Sequence, residues 1–96
     1  MTYVVLFDDA FAVEFRELDL VVRKAILKGV GALRIEGHRL GRPWVDTLKG
    51  SRHANMKELS VTADRREWRV AFAFDPARHA ILLAGVAKGG KNEARV

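Results

Sequence analysis

The chain contains no cysteine. That excludes disulfide frameworks, thiolate metal sites and cysteine nucleophiles, and it suits a cytoplasmic protein in a reducing compartment. The three histidines, His38, His53 and His79, stand at no metal-ligand spacing, so neither a metal nor a cofactor is expected. No apolar run nears the ~18 residues that a bilayer span needs. The opening "MTYVVLFDDAF" lacks the basic segment and small-residue cleavage site of a secretory leader. Phosphate-binding glycine loops, dinucleotide fingerprints, a Ser-His-Asp order and internal repeats are missing too.

What is there is one domain's worth of chain. With 96 residues, 49% of them hydrophobic, residues 1–96 are expected to form a single domain with a small core, and 89–96 a mobile tail. The charge is uneven. Residues 1–33 carry four Lys/Arg against five Asp/Glu, and residues 34–96 carry thirteen against seven, so −1 is followed by +6. A polyanion, or an acidic partner, is expected to meet the later two-thirds.

"YVVLF" (3–7) reads as a strand. In "DDAFAVEFREL", Phe11, Phe15 and Leu18 fall at helical spacing, with Asp8 or Asp9 as N-cap. Leu18, Val21, Val22, Ala25, Ile26, Val30 and Leu33 form the apolar stripe of a second helix, with Asp19 available as cap and Gly37 as terminator. Two helices so close in sequence suggest an antiparallel hairpin. Residues 38–55 read as one long polar connection of the kind that carries function. Three strands follow, at 56–62, 68–74 and 80–86, the last two joined by an Asp-Pro turn. The order β-α-α-β-β-β gives an α+β fold of one sheet and one helical layer.

Alternation sorts the polar residues. In "WRVAFAF", Trp68, Val70, Phe72 and Phe74 share one face, and Arg69, Ala71 and Ala73 share the other. The bulky face belongs under the helices. In "MKELSVT", Leu59 and Val61 join the core, while Met56, Glu58, Ser60 and Thr62 join the Arg69 face and Lys57 points away from it. The expected result is a shallow floor of small side chains carrying Arg69 and Glu58. Lys49, Arg52 and His53 would reach it from the preceding loop. Such a surface suits a single-stranded nucleic acid backbone; the alternative is an ordinary solvated sheet face.

The strings "LGRPWVDTLKGSRHANMKEL" and "WRVAFAFDPARHAILLAG", followed by a Lys-Gly stretch, closely resemble the phage-derived HigB-like branch of the RelE/ParE toxin superfamily. The resemblance runs from the second helix to about Lys88. It implies a RelE-like fold: an N-terminal strand and a helical hairpin packed on a small antiparallel sheet. It implies the toxin of a type II toxin–antitoxin pair, whose antitoxin carries a helix-turn-helix domain. It further implies cleavage of mRNA on the ribosome without metal or cofactor, by attack of a 2′-hydroxyl on the neighbouring phosphate.

Carried over residue by residue, the resemblance makes Arg69 the stabiliser of the transition state and Lys49 a phosphate ligand. Asp46 and Glu58 compete as general base, and His53 is a candidate base or acid. Lys49, Arg52, Lys88 and Lys91 are expected to hold the RNA phosphates. Two features depart from the pattern. Ser60 stands where relatives often have an arginine. Relatives also continue into an aromatic-bearing C-terminal helix that this chain, ending in "NEARV", is expected to lack. Two alternatives follow: a gyrase inhibitor like the ParE branch, or a non-catalytic module that only binds its antitoxin. A homodimer through the surface left bare by that helix is a further expectation.

Overall fold

The computed structural model describes residues 2–48 and 55–88, the last three by backbone alone. Along the chain run β1 (Val4–Phe7), α1 (Asp9–Arg16), α2 (Leu20–Glu36), a 3-10 turn (Gly37–Arg39), β2 (Val45–Thr47), β3 (Met56–Ala63), β4 (Arg66–Phe74) and β5 (His79–Lys88). The strands form one sheet in the order β1-β5-β4-β3-β2. The α+β reading holds, with two corrections. The long connection contains β2, a short edge strand antiparallel to β3. The sheet is mixed, because β1 pairs in parallel with β5.

Local chemistry accounts for most element ends. The Asp8 carboxylate accepts the Ala10 backbone N–H at 3.1 Å and starts α1. Asp19 occupies the same position before α2, but its side chain makes no capping hydrogen bond. Gly37 ends α2 with φ +55 and ψ −128, a backbone open only to glycine. Asp64 and Arg65, both with positive φ, close the β3–β4 hairpin in a two-residue turn.

The core lies between the helices and one face of the sheet. Phe11 from α1, and Val22, Ile26 and Leu33 from α2, are essentially buried; so are Leu59, Val70, Phe72 and Leu82 from β3, β4 and β5. Each such side chain contributes about 1.5–3 kcal/mol. Val21, placed in the helical stripe by spacing, is instead half exposed. A bulge keeps the two halves of β5 in phase. Ala71 pairs with Ala84 and Phe72 with Leu82, so Leu83 is the extra residue. Both Gly85 and Leu82 can therefore face the helices.

The β4–β5 turn opens with Asp75 and Pro76, as the Asp-Pro pattern requires. The Arg78 amide donates to the Asp75 carbonyl at 3.2 Å. The Asp75 carboxylate accepts the backbone N–H groups of His79 and Ala77, both at 2.9 Å, and its second oxygen pairs with His79 Nδ1 at 2.8 Å. The His79 backbone hydrogen bond, above all, holds this carboxyl below the usual carboxylate range.

Gly37→Ala is expected to cost at least about 2 kcal/mol, since a Cβ there would lie 1.8 Å from Tyr3 Cε1 and the backbone disfavours it. Gly31→Ala in the same helix meets nothing within 4 Å and should gain about 0.5–1 kcal/mol. Urea midpoints of the two variants check both signs. For Asp75, the unfolded chain takes up the proton first on acidification. Its stabilising effect is therefore complete above the ordinary carboxylate range and lost as pH falls through the lowered folded value. Wild-type and Asp75→Asn midpoints, measured as a function of pH, should accordingly converge in acid.

Candidate active site on the open face of the sheet

The helices cover one side of the sheet only. A Cβ on Gly29 of α2 would sit 3.1 Å from both Leu59 and Val61 side chains, which places those residues beneath α2. Their alternates therefore face the other way. Cross-strand register brings Asp46, Glu58, Ala71 and Ala84 into one row on that open face, from β2 to β5. Arg69, opposite Ser60, stands in the next row.

Arg69 does not stand alone. Its Nη1 donates to Glu58 Oε1 at 2.7 Å, and its Nη2 and Nε donate to Glu67 Oε1 at 2.9 and 3.2 Å. On the expected floor carrying Arg69 and Glu58, the guanidinium is thus clamped between two carboxylates, Glu58 and Glu67. The hydrogen bond to Glu67 is the largest influence holding the Arg69 pKa above its ordinary value; desolvation opposes it and the charge of Glu58 reinforces it. The two pairs differ in setting. The Glu58 side chain is 12% exposed and that of Glu67 45%, against 29% for Arg69. Water therefore weakens the Glu67 pair more, and Glu67 is the partner Arg69 gives up more cheaply.

Asp46 lies directly across from Glu58. One of its oxygens accepts the Thr47 N–H at 2.8 Å, and the other meets Arg42 Nη2 at 3.0 Å. Beside the clamp, Pro43, Trp44, Ser60, Thr62 and Glu67 line a cleft of about 250 Å³. Among the described residues, the fold therefore gathers Arg69, Glu58 and Asp46 on one surface. Lys49, Arg52, His53 and Lys91 lie outside the described residues; Lys88 ends β5, in register with Glu67. Glu67 was absent from the sequence-based set. Its signal was simple: two positions before Arg69 on one strand, it must share that face. Trp44 was hidden in a segment read as a loop.

The arrangement sets one guanidinium among carboxylates. A guanidinium offers planar paired donors to phosphate, and it lies within contact of a carboxylate able to take a proton. No group of three or more His, Asp or Glu side chains that could hold a metal ion occurs among the described residues. No described helix is long and apolar enough to cross a membrane.

Comparison with known proteins bears on family and fold. Residues 13–95 match the family described as phage derived protein Gp49-like. Two Mycobacterium tuberculosis proteins named as toxins are similar in sequence. HigB2 is 48% identical over 75 residues, covering 77% of this chain and 37% of the relative. HigB3 is 46% identical over 66 residues, covering 69% and 56%. The chain thus spans about a third to a half of the length of these curated relatives. Among solved structures, a double arginine mutant of the Escherichia coli toxin RelE in the free state superposes with a TM-score of 0.68 at 17% identity, over 88% of this chain and 82% of that one. The isolated Escherichia coli RelE toxin gives 0.67 at 16% identity, over 94% and 87%. At such identity the structures speak for the fold, and the family match speaks for kinship: the chain belongs to the phage-derived Gp49-like family and has the RelE-like fold.

Proposed function

We propose that the chain acts as the toxin of a type II toxin–antitoxin pair and cleaves mRNA on the ribosome, which puts its action in the cytoplasm. The observation that carries this reading is the position of Arg69, fixed on the uncovered face among Ser60, Ala71 and Ala84. Ser60 and the two alanines leave room over the sheet for a phosphate once Glu67 gives way. The kinship with toxins supports the same reading.

In this mechanism a phosphate displaces Glu67 from Arg69, and Glu58 stays in contact to orient the guanidinium. The 2′-oxygen attacks the adjacent phosphorus and the bond to the 5′-oxygen breaks, leaving a cyclic phosphate and a 5′-oxygen that becomes a hydroxyl by taking a proton from His53 or water. The 2′-hydroxyl proton passes to a carboxylate, Glu58 or its cross-strand neighbour Asp46. Arg69 neutralises the charge that builds on the phosphorane oxygens. Lys49, Arg52, His53, Lys88 and Lys91 remain the proposed cations along the strand, His53 also as an acid or base. An antitoxin with a helix-turn-helix domain would silence the toxin. Exposed Val4 and Leu6, on the β1 side of the open face, suit an apolar stretch of such a partner.

The clamp itself favours a second reading. A guanidinium already neutralised by two carboxylates is what a non-catalytic, antitoxin-binding relative would retain. Induction of the chain without antitoxin separates the two. On the cleaving reading, growth stops, new mRNA 5′ ends appear and plasmid supercoiling is unchanged. Harmless expression supports the binding module, and lost supercoiling points to gyrase. Arg69→Ala should then cut cleavage by about 100-fold or more, with Arg69→Lys between the two; undiminished cleavage in the alanine variant rejects the site. Glu67→Gln should tighten binding of a non-cleavable single-stranded RNA by up to about fivefold, the equivalent of a surface ion pair near 1 kcal/mol. Fluorescence anisotropy reads that change, and weaker binding would rule out competition by Glu67.

A further inference from the structure

The covered side of the sheet has a cleft of its own. About 640 Å³ opens where α2 ends, lined among others by Tyr3, His38, Asn55, Lys57, Phe74 and Arg78. A smaller cleft of about 250 Å³ adjoins it, sharing His38, Lys57 and Phe74 and running toward Arg42. Phe74 is five residues from Arg69 on an uninterrupted strand. The cleft and the Arg69 clamp therefore lie on opposite faces.

Its rings are held in place. His38 stacks on Phe74 with centroids 3.8 Å apart, and its Nδ1 is 2.9 Å from the Tyr3 hydroxyl. Tyr3 in turn occupies the space that only a glycine at position 37 leaves open. His38 remains exposed, so ring surface is available to a planar ligand.

The cations of the cleft point the same way. Lys57 is half buried, and among the described residues it has no ion-pair partner. Two carboxylates line these clefts: Asp75, engaged within its own turn by Ala77 and His79, and Asp46 in the smaller one, paired with Arg42. Arg78 holds φ +65 at the turn's last position, where glycine would sit without strain. A large charged side chain is kept at a costly backbone position on the rim of an aromatic cleft. Lys57, a half-buried residue, lines the same space.

We propose that this cleft binds a nucleotide, its phosphate held by Lys57 and Arg78 and its base laid against the rings of His38 and Tyr3. Inorganic anions would use half of the site and nucleosides the other half. The nucleotide is either free or one unit of an RNA strand. The proposal stands apart from cleavage at Arg69: either can fail alone.

The test uses the full chain made by cell-free synthesis with 15N label, titrated with 5′-AMP, inorganic phosphate, adenosine and a 5′-phosphorylated RNA trinucleotide. Saturable shifts at His38, Lys57 and Phe74 are expected with AMP, about tenfold tighter than with phosphate or adenosine alone. Lys57→Met and Arg78→Gly should each weaken AMP binding about tenfold, as loss of a charged hydrogen bond does. Tighter binding of the trinucleotide assigns the site to RNA, and weaker binding to a free nucleotide; both keep the proposal. It is overturned by absence of saturable shifts in the cleft at millimolar AMP, by phosphate binding as tightly as AMP, or by unchanged affinity in Lys57→Met.

Discussion

The close approach of α2 to β3 sets the sidedness of the molecule. Gly29 has no side chain, so the helix backbone settles onto Leu59 and Val61 with little room to spare. Once those two residues are sealed under the helix, strand pleating leaves no freedom for their neighbours. Glu58 and Ser60 must face outward, and register then carries Arg69, Ala71 and Asp46 to the same side. A one-residue slip of β3 would bury a carboxylate and expose Leu59. The charged surface and the apolar core are thus two results of one packing contact.

The charges on the open face nearly cancel within the structure. Arg69 and Arg42 face Glu58, Glu67 and Asp46. The positive character of the later part of the chain is therefore not concentrated at Arg69 among the described residues. Pairing keeps the guanidinium oriented, and it makes the approach of any phosphate an exchange of partners rather than capture by an idle charge.

Much of this was legible from the residues. Alternation alone sorted β3 and β4 into their two faces, because both strands have unbroken periods with large residues on one side. Gly37 and the Asp-Pro turn announced themselves by residue type. What was hidden depended on partners distant in sequence. β2 is three residues long and gains its stability from β3, so it has too little pattern of its own. The parallel pairing of β1 with β5 has no local signature. The Leu83 bulge hides in an apolar run that reads the same in either phase. The second cleft joins positions 3, 38, 57, 74 and 78, which no spacing rule connects. Of the candidate site, Arg69, Glu58 and Asp46 meet as register dictates. Glu67 shares the face of Arg69 by alternation, and its pairing with Arg69 depends on side-chain conformation, which residue type does not announce.

The parallel pairing of the first and last strands carries a consequence for how the molecule is made. Val4 lies beside His79, so closing the sheet joins segments 75 residues apart. Separation of that kind slows folding, since the entropy of the intervening loop is lost before any contact repays it. During translation, β1 emerges long before its neighbour exists and waits unpaired until nearly all of the described chain is synthesised. Completion of the sheet, and with it the final geometry of both faces, is therefore a late event in the life of each newly made molecule.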